Sequence, residues 1–493
     1  MTVPLPSVGD TDWLDWAQQV HTASTTGLAG KANTSHTHPV TDLTATGTRD
    51  ATTYLRGDNT WAVPSVSGGG TYTDEQAQDA AAALLTGGSH SGISFTYDDT
   101  GNKVNATVAG ALTSSIIDVR SFGATGNGTT NDTTAIQNAI NACPAGGTVY
   151  FPTPPGGSWR TNVALDVPPN ITLRMEHGDT LEYDDAAPSP NCIKPLSTFT
   201  AGGNVITLRS KAITGRPTQH VGARLENITI DGTALPVGNQ INGFMTIGRV
   251  REATFENCTV RRVGRDGFAN YKNPSDNLSP LSLRYRGCAA DNVGGSGFSF
   301  VEVPDTTVID CNSEGAGVFG FYLAGLMNGI MMGCRAEWSG QYGYYVTSGY
   351  WGTGQGSGGL NMLGCLSDRN AKDGVYIDAT GGAALQFTGC TFRRDGYLGG
   401  NTYAALRANG CNMPVRVSNL CVYPGVHDDG TGNFSPYAGI FSQNSTSVAM
   451  SSGDLHAATA PVVNGVGGNL VVAPIVGKAT GPTNAPVRTA PTP

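Results

Sequence analysis

A repeat of cysteine, glycine and an aromatic residue in the second half of the chain restricts the possible folds more than any other feature. Cys258 is followed nine residues later by Gly267 and then by Phe268. The same spacing recurs at Cys288 with Gly297, Cys311 with Gly320, Cys334 with Gly343 and Cys365 with Gly374. Successive cysteines from Cys258 to Cys390 are 30, 23, 23, 31 and 25 residues apart. The residue before each cysteine favours turns: Asn257, Gly287, Asp310, Gly333, Gly364 and Gly389.

This period, with short apolar runs divided by glycine, predicts the coil of a solenoid. One coil cannot bury its own apolar face, so neighbouring coils stack by strand pairing, roughly 4.8 Å apart. We expect the cysteines to form one inward ladder and the aromatic residues after the glycines to form another. Because no metal-type Cys-x-x-Cys pair occurs, we interpret the cysteines as small buried side chains. A leucine-rich repeat is the rival solenoid, but its leucine and asparagine pattern is missing.

Two of the longer steps between cysteines contain insertions. Residues 270–280 are rich in Asn, Pro and Ser, and residues 350–359 are rich in glycine. We expect both to form loops that project from one edge of the solenoid, where such folds often place binding surfaces.

A line of charged residues lies three positions after the ladder cysteines. These positions hold Arg261, Asp291, Glu314, Glu337, Asp368 and Arg393. If the cysteines point inward, an offset of three predicts outward side chains. Four carboxylates would then stack on successive coils, with adjacent ones roughly 5 Å apart and alternate ones about 10 Å apart.

These distances suit glycoside hydrolysis, in which two carboxylates about 5–5.5 Å apart give retention and about 6.5–9.5 Å apart give inversion. Stacked acids also repel one another and raise some pKa values, as a general acid requires. The candidate catalytic residues are therefore Asp291, Glu314, Glu337 and Asp368. Two alternatives stay open: an ordinary solvated face, since outward positions must be polar, and calcium held between stacked acids.

Aromatic residues follow the acids closely in the chain. Exposed aromatic rings offer flat apolar platforms for sugar rings. The candidate glycan-binding residues are Trp338, Tyr342, Tyr345, Tyr350 and Trp351. The nearby charged pairs, Arg369 with Asp373 and Arg394 with Asp395, are expected to be surface ion pairs.

The segment before the repeats combines a turn, a helix and a strand. Asn131 or Asp132 can cap a helix whose apolar face is formed by Ile136, Ala139 and Ile140. Gly146 and Gly147 precede a strand-like run. This block resembles the opening segment of the pectate-lyase-like β-helix superfamily, which includes phage tailspikes. The resemblance implies a mainly β chain with a right-handed parallel β-helix over residues 115–437, whose end the helix closes. The Gly-His-Gly and Arg-Ile-Lys motifs of polygalacturonases are missing, which argues against that activity.

The N-terminal residues 1–114 are polar and rich in Gly, Thr and Ser. Segments at 35–40, 46–58 and 72–80 resemble recurring segments of phage tail fibres and minor tail proteins. They contain too few apolar residues to fold alone, which predicts three chains wound together. The resemblance implies a virion-attachment region over residues 1–66 and a linker with a fibre-like trimeric segment over 67–114, where Ser67 to Gly70 form a flexible joint.

His36 and His38 form a His-x-His pair within this region. In the tail fibres that it resembles, three such pairs surround one iron ion. Six imidazoles on a threefold axis are a suitable octahedral set for a first-row metal. The alternative is two exposed histidines in a polar loop, and no other cofactor is required.

Composition narrows the function. The net charge of −9 argues against a nucleic-acid partner, and the chain offers no run of 18 apolar residues for a membrane span. The first ten residues lack a signal-peptide pattern, so we expect release by virion assembly and lysis.

We therefore expect a homotrimeric phage tail protein of the virion, a minor tail protein or tailspike. It would dock on other tail or baseplate proteins through its N-terminus and bind host cell-surface polysaccharide through its β-helix. The alternative is an enzymatic tailspike, a glycoside hydrolase or polysaccharide lyase that cleaves that glycan. A secreted lyase is disfavoured by the missing signal and by the N-terminal segments. Residues 438–493 are expected to close the solenoid or to contact trimer partners.

Overall fold

The computed structural model describes most of residues 116–472, with gaps at 177–190, 211, 214–215, 218–219, 350–357, 381–382, 400–401, 446 and 458. It also describes residues 46–48, 51–55, 59–63, 73–87, 94–107 and 488–489. The chain divides into two compact units, Met1–Ala109 and Gly110–Pro493. The pair His36 and His38 lies outside the described residues.

Three parallel sheets, named A, B and C in the order in which the chain visits them, form a parallel β-helix. Sheet A contains Ile116–Asp118, Thr148–Phe151, Thr172–Met175, Arg224–Glu226, Thr254–Glu256, Arg284–Arg286, Thr307–Ile309, Ile330–Met332, Asn361–Leu363, Leu385–Thr388, Pro414–Ser418, Ser447–Met450, Leu470–Val472 and Arg488–Thr489. Sheet B contains Asn127–Asn131, Ser158–Thr161, Ile193–Pro195, Thr229–Asp231, Thr259–Arg261, Ala289–Asp291, Asn312–Glu314, Arg335–Glu337, Leu366–Asp368, Thr391–Arg393, Leu420–Tyr423 and Gly453–Leu455. Sheet C contains Leu165–Val167, Asn204–Arg209, Asn242–Ile247, Phe268–Tyr271, Phe298–Val301, Phe321–Ala324, Tyr344–Thr347, Val375–Ile377, Ala404–Asn409, Ala438–Gln443 and Ala460–Asn464.

The repeat in the sequence is confirmed as one coil of this solenoid. The residue before each ladder cysteine has a positive φ, from +52° at Asn257 to +65° at Gly333, and this left-handed corner joins sheet A to sheet B. Glycine, Asn and Asp adopt that backbone most readily, which is why they recur there. The cysteines behind the corner are buried and free, so the ladder carries no disulfide.

The second inward ladder is a stack of aromatic rings in sheet C. Ring centroids are 4.5 Å apart for Phe268 and Phe298, 4.9 Å for Phe298 and Phe321, and 5.0 Å for Phe321 and Tyr344. Phe244 extends the stack by one coil, at 5.1 Å from Phe268. All five residues are at most 1% exposed, so this stack and the cysteines form the centre of the core.

The predicted opening block is present. Helix α2, Thr133–Ala142, begins after Asp132 and buries Ile136, Ala139 and Ile140, and the 3₁₀ helix Val119–Phe122 precedes it. The Asp132 carboxylate does not cap α2; its oxygens accept the backbone N–H groups of Thr125 at 2.7 Å and Gly126 at 3.1 Å. Asp132 therefore fixes the turn before the first strand of sheet B.

The solenoid does not end at residue 437, the boundary that we predict from the sequence. Strands Ala438–Gln443, Ser447–Met450, Gly453–Leu455, Ala460–Asn464 and Leu470–Val472 continue the three sheets. The Cys-Gly-aromatic spacing fades before these coils, although their stacking is unchanged. The segment assigned as a separate C-terminal piece thus belongs to the β-helix as far as Val472.

The N-terminal unit contains regular structure within the segment expected to be fibre-like. Helix α1, Asp74–Thr86, begins at a capping box made by Thr73 and Gln76, and Ala82 is its buried residue. A hairpin of Ser94–Asp98 and Lys103–Thr107 follows. In the same unit, Tyr54–Leu55 pairs with Trp61–Ala62. Two further pairs of short strands lie in the second unit: Ala212–Ile213 with Arg216–Pro217, and His220–Val221 with Val250–Arg251. Within the described residues, neither helix is long and apolar enough to cross a bilayer.

Candidate functional site

The charged residues predicted to stack do so in register on sheet B. Asp291 pairs with Glu314, Glu314 with Glu337, and Glu337 with Asp368 as neighbouring Cα partners. Arg261 and Arg393 continue the line at its two ends. We call Asp291, Glu314, Glu337 and Asp368 the acid column. Because adjacent parallel strands lie about 4.8 Å apart, the four carboxylates share one outward strip of the sheet.

The acid column is not the ordinary solvated face that remained an alternative. Glu337 and Asp368 are only 2% exposed, and Asp291 is 7% exposed. In each of the six coils, the residue that directly follows this line of charged residues has a positive φ, and there the chain turns toward sheet C. These residues are Arg262, Asn292, Gly315, Trp338, Arg369 and Arg394. The acids therefore lie beneath the corners that lead to sheet C.

Arginines neutralise three of the four acids. Arg261 Nε lies 3.1 Å from Asp291 Oδ2, and Arg335 Nη2 lies 2.6 Å from Glu337 Oε1. Asp368 accepts two hydrogen bonds from Arg394, Nε to Oδ1 at 2.9 Å and Nη2 to Oδ2 at 2.6 Å. Carboxylates paired in this way are poor ligands for calcium, which needs six to eight oxygen ligands, so the donor set does not fit the calcium alternative.

Glu314 differs from its neighbours, since it has no ion-pair partner among the described residues. Partial burial, followed by the negative charges of Glu337 and Asp291, raises the pKa of Glu314, while Arg369 and Arg335 act in the opposite direction. A carboxyl group of this kind can hold a proton nearer to neutral pH and donate it to a leaving group.

Two of the predicted glycan-binding residues belong to an exposed cluster of rings, which we call the aromatic platform: Phe319, Tyr322, Tyr342, Tyr345 and Tyr376. Tyr322, Tyr345 and Tyr376 are register partners on the outward face of sheet C. Ring centroids lie 5.6 Å apart for Tyr322 and Tyr345, 4.6 Å for Tyr342 and Tyr376, and 5.8 Å for Phe319 and Tyr342. All five rings are partly exposed, so the platform offers a continuous apolar surface along three coils.

The platform tyrosines are also held by polar contacts. The Tyr345 hydroxyl donates to Asp378 Oδ2 at 2.9 Å, and burial raises the pKa of Tyr345 to about 12. Lys372 Nζ lies 5.5 Å from the centre of the Tyr342 ring, within range of a cation–π contact. The Tyr345 hydroxyl therefore stays protonated at neutral pH and keeps its hydrogen bond to Asp378.

Trp338 lies apart from the platform, against a loop of residues 424–437 that we call the cover loop. Its ring centroid is 4.7 Å from that of His427, and the Arg369 guanidinium lies 4.6 Å from the ring. Tyr397 lies 6.1 Å away. Tyr350 and Trp351, the other two predicted glycan-binding residues, lie outside the described residues, as do His36 and His38.

The cover loop connects sheet B to sheet C at the C-terminal end of the acid column. Its base is fixed by a bridge between Gly425 and Ser435 and by a hydrogen bond from Asn433 Nδ2 to the Tyr397 carbonyl at 2.6 Å. At its tip, Asp428 contacts both Arg369 and Arg394. These contacts could not be predicted from the sequence, since the loop lies outside the repeat.

The prediction that Arg369 with Asp373 and Arg394 with Asp395 form surface ion pairs is wrong. Asp395 is fully buried, and burial raises its pKa well above the ordinary value. Asp373 is 1% exposed and pairs with Arg407 Nε at 2.8 Å rather than with Arg369. Arg369 and Arg394 turn to Asp368 instead, because their corners stack beside the acid column.

The comparisons with known proteins agree with the geometry of the fold. A family model described as the right-handed β-helix region matches residues 242–416, and one described as rhamnogalacturonase A/epimerase, pectate lyase-like, matches residues 116–160. Mannuronan C5-epimerase AlgE4 of Azotobacter vinelandii is 30% identical over 188 residues, which is 36% of this chain and 31% of that protein. The chain thus spans about a third of the length of this relative.

Two solved structures resemble the chain in fold. The A-module of mannuronan C-5 epimerase AlgE6 from Azotobacter vinelandii has a TM-score of 0.52 at 17% identity, over 73% of this chain and 99% of that one. Tailspike protein 3 of bacteriophage CBA120 has a TM-score of 0.51 at 13% identity, over 85% of this chain and 67% of that one. The described residues between 116 and 472 therefore form a right-handed parallel β-helix, whose opening residues match the pectate-lyase-like model, and tailspike protein 3 of bacteriophage CBA120 has a similar fold.

Proposed function

We propose that this chain is a tail protein of a phage virion whose β-helix binds a polysaccharide of the host-cell surface. The observation that carries the proposal is the aromatic platform. Five partly exposed rings cover three coils, or roughly 10–15 Å at the strand spacing. That length accommodates a short run of sugar rings, whose apolar faces pack on aromatic rings while their hydroxyls bond to polar neighbours.

In this proposal, residues 1–66 attach the chain to other tail or baseplate proteins, and residues 67–114 form a linker with a trimeric fibre-like segment. The support is their resemblance to tail-fibre segments, which also favours a homotrimer. Sedimentation of the full chain tests this part, since three chains of 50.9 kDa sediment well apart from one. Iron bound by His36 and His38 remains a prediction that metal analysis of the same sample tests.

The binding experiment uses an array of purified bacterial capsular and O-antigen polysaccharides, probed with the full chain. Tyr376→Ala removes the ring that stacks on Tyr342, and we expect about a tenfold loss of affinity for the glycans that the wild type binds, equal to about 1.4 kcal/mol. Phe441→Ala is the matched control, because Phe441 lies in the same outward line of sheet C, two coils beyond Tyr376. Equal binding by Tyr376→Ala and wild type would remove the platform from the proposal.

A second candidate function is depolymerisation of that polysaccharide. Glu314 favours it, because a carboxyl group of raised pKa stands between two acids whose positions suit a second carboxylate of a glycosidase. In this scheme Glu314 donates a proton to the glycosidic oxygen, and Glu337 or Asp291 acts as the base or nucleophile once it has left its arginine and become exposed to the sugar.

Reducing-end and unsaturated-product assays on the bound polysaccharides separate the two functions. An enzyme releases oligosaccharides, and Glu314→Gln or Glu337→Gln abolishes the release. Glu256→Gln, a change at an acid of sheet A that pairs with Arg224, serves as the control and leaves the release unchanged. Binding without any release by the wild type leaves a receptor-binding protein.

A further inference from the structure

The Asp428 carboxylate occupies a fork between two arginines. Its Oδ2 accepts a hydrogen bond from Arg369 Nη1 at 2.5 Å, and its Oδ1 accepts one from Arg394 Nη1. The Asp428 side chain is 70% exposed, whereas those of Arg369 and Arg394 are 15% and 11% exposed. A carboxylate at the surface is thus held by two guanidinium groups that are themselves largely buried.

The two arginines are fixed from below. Arg394 uses Nε and Nη2 for Asp368, which leaves Nη1 for the outer carboxylate. Arg369 Nε lies 3.3 Å from Asp368 Oδ2, and its guanidinium covers the Trp338 ring. The donors that reach Asp428 are therefore preorganised by a buried acid and an aromatic ring. Two planar arginines held in this way form a carboxylate site of high specificity.

We propose that Arg369 and Arg394 are a subsite for the carboxylate of an acidic sugar, and that Asp428 competes with that sugar for the same two arginines. This inference rests on the proposed function and deepens it. It names the chemical class of glycan that binds at the C-terminal end of the acid column. Trp338, next to the fork, packs against His427 of the cover loop, and its ring becomes available to the sugar when the tip of that loop moves away. The tip of the cover loop withdraws when the glycan enters, while its base stays bound at Gly425 and Ser435.

The burial of the arginines explains why the subsite takes a carboxylate rather than a neutral sugar. Hydrogen bonds between an arginine and a carboxylate are about twice as strong as neutral ones, and they weaken less with salt when the pair is shielded from water. The negative charge of Asp368 neutralises one arginine, so the fork keeps one net positive charge for an outer anion.

The test compares binding of D-glucuronate and D-glucose by the full chain and by Asp428→Asn, using calorimetry. Removal of the internal competitor should raise the affinity for D-glucuronate about tenfold, as expected when a contact formed in about nine of ten molecules is lost. Affinity for D-glucose should not change. Asp429→Asn is the matched control, because Asp429 is a neighbouring loop acid that bonds only locally, to Thr431.

Adding Arg369→Gln to Asp428→Asn should abolish the gain, and the thermal transition of each variant confirms that it folds. Equal D-glucuronate affinity in wild type and Asp428→Asn, or an equal gain for D-glucose, overturns the subsite. The platform variant Tyr376→Ala, measured on polysaccharide in parallel, reports on the proposed function separately. If Tyr376→Ala loses binding while Asp428→Asn gains nothing, the carboxylate subsite alone is wrong.

Discussion

The corner between sheets B and C has the same backbone conformation in six successive coils, but its buried side chains are apolar in three coils and polar in the other three. The first residue of the corner has a positive φ in all six coils. The second residue points into the core, and it is apolar in the first three coils: Val263, Val293 and Ala316. In the next three coils it is polar yet fully buried: Ser339, Asn370 and Asp395. The side chains on the outer strip change at the same coils, to Trp338, Arg369 and Arg394.

Stacking, rather than side-chain chemistry, therefore maintains the solenoid backbone. Once the corner is set, each coil copies the one below through strand pairing, whether its core position is Val or Asp. The polar half must instead satisfy its buried groups by a network. Asn370 Oδ1 accepts the Ser339 N–H at 2.9 Å, and Asn370 Nδ2 donates to Asp395 Oδ1 at 2.8 Å. This network lies directly behind the arginines of the proposed subsite, and it holds their corners rigid.

Among the substitutions that separate the two halves, Asn370→Ala should have the largest effect on the free energy of unfolding. The Asn370 side chain also donates to the Ala336 carbonyl at 3.0 Å, so its loss leaves two or three buried groups unsatisfied. At about 1–3 kcal/mol for each group, the free energy of unfolding should fall by about 4 kcal/mol. Val293→Ala, at the same corner position of the apolar half, should lose only about 2 kcal/mol. Guanidinium unfolding of both variants measures the contrast, and equal losses would mean that the polar network adds nothing.

The next effect concerns the outer strip. Arg394→Ala removes the bidentate partner of buried Asp368, and we expect a loss of about 2–3 kcal/mol. The loss stays at the low end for a broken buried pair because Arg369 remains 3.3 Å from Asp368. Arg262→Ala, at the equivalent corner of the first coil, should change stability by only about 0.5 kcal/mol. A loss for Arg262→Ala as large as that for Arg394→Ala would contradict the distinction between the two halves.

The repeat alone was enough to predict the ladders and the register of the acid column, while the opening helix was predicted from the spacing of its own apolar residues. These features depend on spacing, and stacking carries a spacing from coil to coil. In the same alignment of the repeats, the position directly after the acid column holds Trp338, Arg369 and Arg394, so their side-by-side arrangement could also have been predicted. The in-register line of Tyr322, Tyr345 and Tyr376 could have been found in the same way.

Burial of the acid column could not be predicted, because it depends on which side chains fold back over the strip. Arg335 and Arg394 reach the acids from different positions of the repeat, and long side chains leave no periodic pattern. The cover loop is an insertion without repeat register, so nothing in the sequence connects Asp428 to Arg369, 59 residues earlier in the chain. The aromatic platform was found in part, since Tyr342 and Tyr345 were identified while Phe319, Tyr322 and Tyr376 were missed.

A smaller effect, of opposite sign, is expected at the end of the polar network. Burial raises the pKa of Asp395 well above its ordinary value, so the folded protein holds a proton that the unfolded chain releases above pH about 4. Wild-type stability should therefore fall as the pH rises from about 4 through the folded-state pKa. Asp395→Asn lacks this loss and should be more stable than wild type at pH 8, with a smaller difference near pH 4. Exposed Asp166→Asn is the control, and a less stable Asp395→Asn at pH 8 would mean that the carboxyl is ionised in the fold.

The smallest expected effect lies at Glu314, in the last coil of the apolar half. Its pKa is also raised, so ionisation opposes folding, and the stability present below pH about 4.3 declines as the pH rises through the folded-state pKa. Because Glu314 is partly exposed, water screens the repulsion, and Glu314→Gln should gain only about a few tenths of a kcal/mol at neutral pH. Unfolding of both proteins between pH 4 and 8 measures the difference. A gain confirms that burial and the charges of Glu337 and Asp291 outweigh those of Arg369 and Arg335 at Glu314, as a proton donor requires. A loss would mean that Arg369 or Arg335 holds Glu314 ionised, and the acid column would then lack its general acid.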